Sequence, residues 1–186
     1  INNERPARPV ALGSEIQAKR PERSNLDKNK NIFRAAATGE TQVVGMLLAS
    51  NSNLLEAKNK EGRTPLHLAA SQLQASTIEM LLNAGANVDA VAGSSGDTAL
   101  LIAARATQNW RAMTRVEPFM QTLKVLVGHG ADINRKDAHG RTVLHYAVRL
   151  WNWDLYEFLL KNGADIRIRD KNGMRPVHYL SLAGGE

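Results

Sequence analysis

Apolar positions begin to recur with a helical period at Asn31. Ile32, Ala35 and Ala36 share one face, Gly39 closes the segment, and Val43, Val44, Met46, Leu47 and Leu48 supply a second apolar stretch. The same succession of a short alanine-bearing helix, a break and a leucine-bearing helix then returns behind a short phrase. That phrase is Gly62-Arg63-Thr64-Pro65-Leu66-His67, then Gly96-Asp97-Thr98-Ala99-Leu100-Leu101, then Gly140-Arg141-Thr142-Val143-Leu144-His145. A worn fourth copy is Gly173-Met174-Arg175-Pro176-Val177-His178. Each complete copy leads to an apolar run closed by a Gly-Ala pair: Gly85-Ala86, Gly130-Ala131 and Gly163-Ala164. Successive phrases start 34, 44 and 33 residues apart. Self-similarity near that period predicts a stacked array of helix pairs rather than one globular core, which turns attention from catalysis to binding surfaces.

The phrase resembles the ankyrin repeat: a turn with Gly, then Thr-Pro-Leu-His-x-Ala-Ala, a second helix with paired leucines, and Gly-Ala-Asp. Asn59 to Ala90 and Asp137 to Ile168 follow that pattern almost residue for residue. The resemblance implies an all-α solenoid of helix-turn-helix pairs linked by short hairpin-like turns, with four to five repeats including caps. The expected organisation is an extended arm over 1–30, a cap over 31–57, and repeats over 58–90, 91–134 and 135–168. A truncated repeat over 169–182 and a tail over 183–186 complete it. In the first full repeat, helices are expected near 65–72 and 76–83. Leu81, Leu82, Leu159 and Leu160, the paired leucines before a Gly-Ala, are expected to be buried.

Thr64 and its equivalents sit where a helix starts, and Pro65 suits a first turn because it lacks the donor that the turn leaves unused. His67, His145 and His178 occupy one position per repeat. One histidine per repeat does not make a metal site, and the resemblance implies a structural imidazole that ties adjacent turns. The second repeat departs from the pattern. Thr64 to Gly85 and Thr142 to Gly163 each span 21 residues, but Thr98 to Gly130 spans 32, so eleven are inserted within about 107–118. Trp110, Met113 and Val116 recur there at helical spacing, and Pro118, led by Glu117, is placed at the start of the outer helix.

Composition adds less. The chain has 186 residues, 43% of them hydrophobic, which fits a soluble fold with a sizeable core. No apolar run reaches the ~18 residues of a membrane span and no signal peptide appears. The chain starts with Ile and stops partway through a repeat, as a piece of something longer would. The absence of cysteine excludes disulfides and thiolate metal sites, and is compatible with an intracellular setting, cytoplasmic or nuclear. The formal charge of +6 is divided between the arm, with seven Lys/Arg against four acids, and the remainder, with seventeen against fourteen. The arm carries Pro6, Pro9 and Pro21 and no helical or strand period. Its basic residues Lys19, Arg20, Arg23, Lys28 and Lys30 are too loosely spaced for a compelling nuclear address.

The resemblance places the turn tips and the exposed side of each first helix on a concave face. The tips contribute Lys60, Glu61 and Arg63, then Asp97, then His139 and Arg141. The helix positions that follow include Gln72, Arg105 and Arg149. Arg63, Arg105, Arg141 and Arg149 together, interrupted by Asp97, would favour carboxylates or phosphates. Trp151 and Trp153 lie at an interhelix turn where the family usually has Gly and a small or polar residue. Trp110, in the insert, is placed to reach one edge of the groove.

The expected function is therefore protein interaction: a monomeric, non-enzymatic scaffold that holds an extended, acidic peptide or helix in the groove, with no cofactor and no metal. One alternative is a methyl-lysine or histone-tail reader, since ankyrin modules of some histone methyltransferases cage that cation; Tyr146, Trp151 and Tyr179 would form the walls. Another is a regulatory region of a larger enzyme, although no phosphate loop, His-Glu-x-x-His pair or Gly-x-Ser-x-Gly elbow occurs here. The last is a basic nucleic-acid-associated module, disfavoured because no aromatic platform is interleaved with Lys/Arg.

Overall fold

The structure, a computed structural model, describes residues 31–106 and 116–183. The arm over 1–30, and with it Trp110 and Met113 of the insert, lies outside the described residues. Helix α1 covers 31–38, followed by α2 (Thr41–Ser50), α3 (Pro65–Ser71), α4 (Ala75–Asn83) and α5 (Ala99–Arg105). Then come α6 (Val116–Gly128), α7 (Val143–Arg149), α8 (Trp153–Lys161) and α9 (Tyr179–Ala183). Among the described residues the one extended pairing is an antiparallel bridge between Ala92 and Asp97, so the all-α solenoid expected from the repeats is what forms. Pro118 lies within the first turn of α6, two residues after its start.

The helices divide into two layers. α3, α5, α7 and α9 pack in succession along the inner layer, and α2, α4 and α6 along the outer one. Each of α3, α5 and α7 has only seven residues, far below the ~12–15 at which an isolated helix becomes even marginal in water. They persist because their alanines are buried against one another: Ala69, Ala70, Ala103, Ala104 and Ala147 are all fully buried. Small side chains let these backbones approach closely, and Leu66, Leu100 and Leu144 are buried in the same core.

Imidazoles fix the fingers to this core. The Thr64 N–H donates to His67 Nδ1 at 3.1 Å, which leaves the proton on Nε2, and Nε2 donates to the Ala90 carbonyl at 2.9 Å in the next finger. His145 repeats the motif, with Thr142 N–H at 3.1 Å and the Met174 carbonyl at 3.2 Å. Leu101 takes this position in the second repeat and is fully buried. The fingers also bond directly: Ala138 N–H donates to the Ser95 carbonyl at 2.8 Å and Lys171 N–H to the His139 carbonyl at 3.0 Å. Gly140, at φ 78°, is required by this approach as well as by its dihedral, since a Cβ there would lie 2.9 Å from the Lys171 nitrogen.

Two apolar expectations are corrected. Leu81, Leu82 and Leu159 are buried, but Leu160 is 38% exposed. Leu82 is covered because α6 packs against α4, whereas among the described residues no outer helix follows α8. In α2 only Val44 is fully buried; Val43 and Met46 face outwards, Met46 being 72% exposed. Replacing Leu159 by Ala is therefore expected to destabilise the stack by ~2–5 kcal/mol in denaturant melts, and Leu160→Ala by less than ~1 kcal/mol.

Burial pushes the His67 and His145 imidazoles below their ordinary value, against smaller opposing contributions from the carbonyls they bond. The unfolded chain thus takes up these protons first. The stability they contribute is complete above about pH 6.5 and is lost progressively as the pH falls from there towards the lower folded-state value. Each buried imidazole should add up to ~1.4 kcal/mol of lost stability per pH unit within that window. Urea melts at several pH values should show the decline, and His67→Leu, the residue found naturally at Leu101, should make it shallower.

Candidate functional site

Each finger is built around one side chain at its base. Asn59 Oδ1 accepts from the N–H groups of Glu61 and Arg63 at 3.0 and 2.9 Å. Asp137 does the same for His139 and Arg141, and Asp170 for Asn172 and Met174, at 2.8 and 2.9 Å in both. Ala92 occupies this position in the second finger and has no side-chain acceptor, so the Ala92–Asp97 backbone bridge and a 3-10 turn at Gly93–Ser95 close that finger instead.

The second carboxylate oxygen of each Asp is used by a tyrosine nine residues on. Tyr146 Oη donates to Asp137 Oδ2, and Tyr179 Oη to Asp170 Oδ2, each at 2.5 Å. Both tyrosines are buried, and burial followed by the neighbouring carboxylate pushes both phenols above their ordinary value, so they stay neutral donors. For Asp170 burial opposes ionisation, but hydrogen bonds from Tyr179 and the finger N–H groups outweigh it and hold the carboxyl below its usual range.

Arginines lie across the tyrosine faces. The Arg105 guanidinium is 5.4 Å from the Tyr146 ring centre, and that of Arg141 is 5.7 Å from Tyr179, whose hydroxyl also accepts from Arg141 Nε at 3.0 Å. Arg105 is held from the other side by Asp97: Nη1 lies 2.9 and 2.8 Å from the two oxygens of a carboxylate that is almost fully buried. These groups surround a small cleft of about 110 Å³ lined by Arg105, His139, Arg141, Tyr146, Arg149 and Leu150. Arg149 is exposed and has no hydrogen-bond or ion-pair partner among the described residues.

The structure thus brings together three of the four arginines read from the sequence. Arg63 is directed to Glu61 in its own finger at 3.2 Å and does not line the cleft. Lys60, Glu61 and Gln72 are exposed on the first finger and at the end of α3, and Asp97 proves to be a clamp on Arg105 rather than an interruption of the groove. Of the aromatic cage drawn from Tyr146, Trp151 and Tyr179, both tyrosine walls carry an arginine, which disfavours a cationic guest. Trp151 packs edge-on against Trp153 at 5.9 Å and Trp153 against Tyr156 at 5.7 Å. Trp153 is 48% exposed. Among the described residues no group of three or more His, Asp or Glu side chains could hold a metal ion, and no helix is long and apolar enough to cross a membrane. Sequence reasoning missed Asp137 and Asp170; the shared nine-residue interval from Asp to Tyr was the available signal.

Tyr146→Phe should leave one oxygen of buried Asp137 without its donor and destabilise the fold by ~1–3 kcal/mol. Denaturant melts check it, and a change below ~0.5 kcal/mol would mean that water replaces the phenol at no penalty.

A family model described as Ankyrin repeats (3 copies) matches residues 32–113 and 93–170. Alpha-latrotoxin-Lh1a of Latrodectus hasselti is 29% identical over 129 residues, covering 68% of this chain and 9% of that protein. The Nuclear factor NF-kappa-B p105 subunit of Gallus gallus is 31% identical over 134 residues, which is 59% of this chain and 14% of that protein. Intracellular phospholipase A2 of Caenorhabditis elegans is 27% identical over 128 residues, 67% of this chain and 11% of that protein. The chain spans about a tenth of the length of these curated relatives.

Proposed function

The chain belongs to the ankyrin repeat family, and on that premise we propose that it is a non-catalytic protein-interaction module whose concave groove holds an extended, acidic segment of a partner. The observation that carries this is the cleft between the second and third repeats, where Arg105, Arg141 and Arg149 converge beside Leu150. Guanidiniums held in place by Asp97 and the two tyrosines lose little freedom when they bond a ligand, which favours recognition of a specific anion over diffuse attraction. The half-exposed Trp153, packed against Trp151 and Tyr156, offers a separate apolar edge on α8 for the same partner.

A second reading is favoured by the relative named as a phospholipase: the stack would regulate a catalytic region carried on the same polypeptide. In that case the groove ligand would be an acidic segment of that polypeptide itself.

Affinity capture with quantitative mass spectrometry, comparing the wild-type chain with an Arg141→Ala, Arg149→Ala double variant, tests the proposal. One or more polypeptides should be retained by the first and lost by the second, and purified partner should bind the Arg149→Ala single variant ~2 kcal/mol more weakly. Retention indifferent to both substitutions would place the interface elsewhere. Captured nucleic acid with a steep log–log dependence on salt would replace a protein partner with a nucleic-acid one.

A further inference from the structure

We infer that the cleft recognises one glutamate side chain of the bound segment, read by Arg141 and Arg149, and that Asp97 is the residue that sets this preference over a phosphorylated side chain. This rests on the interaction proposed above and names the anchor within it.

The donors left free determine the class of anion. Arg105 lines the cleft but has its charge compensated by Asp97, which accepts from Nη1 with both oxygens. Arg141 commits Nε to the Tyr179 hydroxyl and also interacts with the Tyr146 hydroxyl, leaving only part of its guanidinium to the cleft. Arg149 retains its whole guanidinium. Two guanidinium edges match the two oxygens of a carboxylate. A phosphate dianion has three acceptor oxygens and roughly twice the charge. It would draw on Arg105 as well, in competition with Asp97, and would come to lie near that buried carboxylate.

Size and lining point the same way. About 110 Å³ admits several water-sized groups, enough for a carboxylate on a short stem. Leu150 gives the stem an apolar wall. A two-methylene glutamate reaches past that wall, whereas aspartate would hold its carboxylate closer to the peptide backbone. The Arg141 guanidinium is preset by Tyr179 and Asp170 behind it, so its share of the recognition requires little rearrangement.

Asp97 acts as a positioning residue. It stands where the first and third fingers carry Arg63 and Arg141, and it converts the site from one with three available arginines to one with two. Asn at this position retains the backbone bridge to Ala92, because that bond uses the main-chain carbonyl.

The test uses three capped pentapeptides with a central Glu, Gln or phosphoserine, and a fourth with central Gln and a free terminal carboxylate, titrated against the full chain. The arginine Nε–Hε resonances report binding. The Glu peptide should shift Arg141 and Arg149 saturably, the Gln and free-terminus peptides should bind at least about tenfold more weakly, and phosphoserine should bind no more tightly than Glu. Asp97→Asn should raise phosphoserine affinity by about tenfold and leave Glu within about twofold. If the Asp97 variant fails to fold, the exposed-site variant Arg149→Gln keeps the inference testable: it should weaken the Glu peptide at least about tenfold, and unchanged binding would overturn it. Tighter binding of phosphoserine or of the free terminus by the wild-type chain, or no distinction between Glu and Gln, would overturn it. A partner captured through Arg141 and Arg149 alongside such a result would leave the interaction module standing and remove only the glutamate anchor.

Discussion

A seven-residue helix does not hold itself together in water, and this chain contains three of them in a row. Contact between their alanine faces is therefore the condition for everything else. Ala69 and Ala70 of α3, Ala103 and Ala104 of α5, and Ala147 of α7 bring the inner backbones close enough for the fingers above them to touch. Only at that separation can one finger donate to the carbonyl of the next, as Ala138 does to Ser95 and Lys171 to His139. A larger residue in the alanine row would separate the helices and break those bonds together, so the cohesion of the stack and the shape of its groove share one origin.

The groove chemistry is built upon that spacing. Asp137 uses one oxygen to close its finger and the other to hold Tyr146, which lies on the neighbouring inner helix α7. Asp170 and Tyr179 repeat the arrangement one repeat later. Each tyrosine then presents its ring to an arginine, Arg105 in one case and Arg141 in the other. The exposed cations are thus the outermost members of hydrogen-bonded chains that end in buried carboxylates. Arg149 is different, since nothing among the described residues directs it except the end of α7.

Much of this was legible in the residues because repeats encode local structure many times over. The phrase beginning at Gly62 states a turn, a cap and a short helix together, and the copies at Gly96 and Gly140 confirm its register. The ties implied by the resemblance form at His67 and His145, whereas His178 is exposed and its ring accepts only from the Arg175 N–H among the described residues. Less legible was anything decided by a neighbour. Leu82 and Leu160 sit at equivalent positions, yet one is buried and the other open, because α6 lies over the first and no described outer helix lies over the second. The pairing of Asp97 with Arg105 depends on a helix end folding back to its own finger eight residues earlier, which a scan for like-charged groove positions treats as an interruption. The convergence of Tyr146, Trp151 and Tyr179 was an expectation about distance, and distance between helix faces is not written in spacing alone.

Trp151 shows how the scaffold and the site meet. It adopts φ 54° and Leu73, at the corresponding turn of the first repeat, φ 58°, the left-handed region that glycine occupies without penalty. Holding a non-glycine residue there costs of order 1–3 kcal/mol, so something must fix each one. For Leu73 it is burial in the core. For Trp151 it is the edge-on contact with Trp153, which is itself packed against Tyr156. The turn so fixed follows Arg149 and Leu150 directly, the last residues of α7 to line the cleft. A glycine at this turn would relieve the strain and also loosen the end of the helix from which the unpaired guanidinium emerges. The indole thus belongs to the turn that follows the cleft-lining end of α7, without lining the cleft itself.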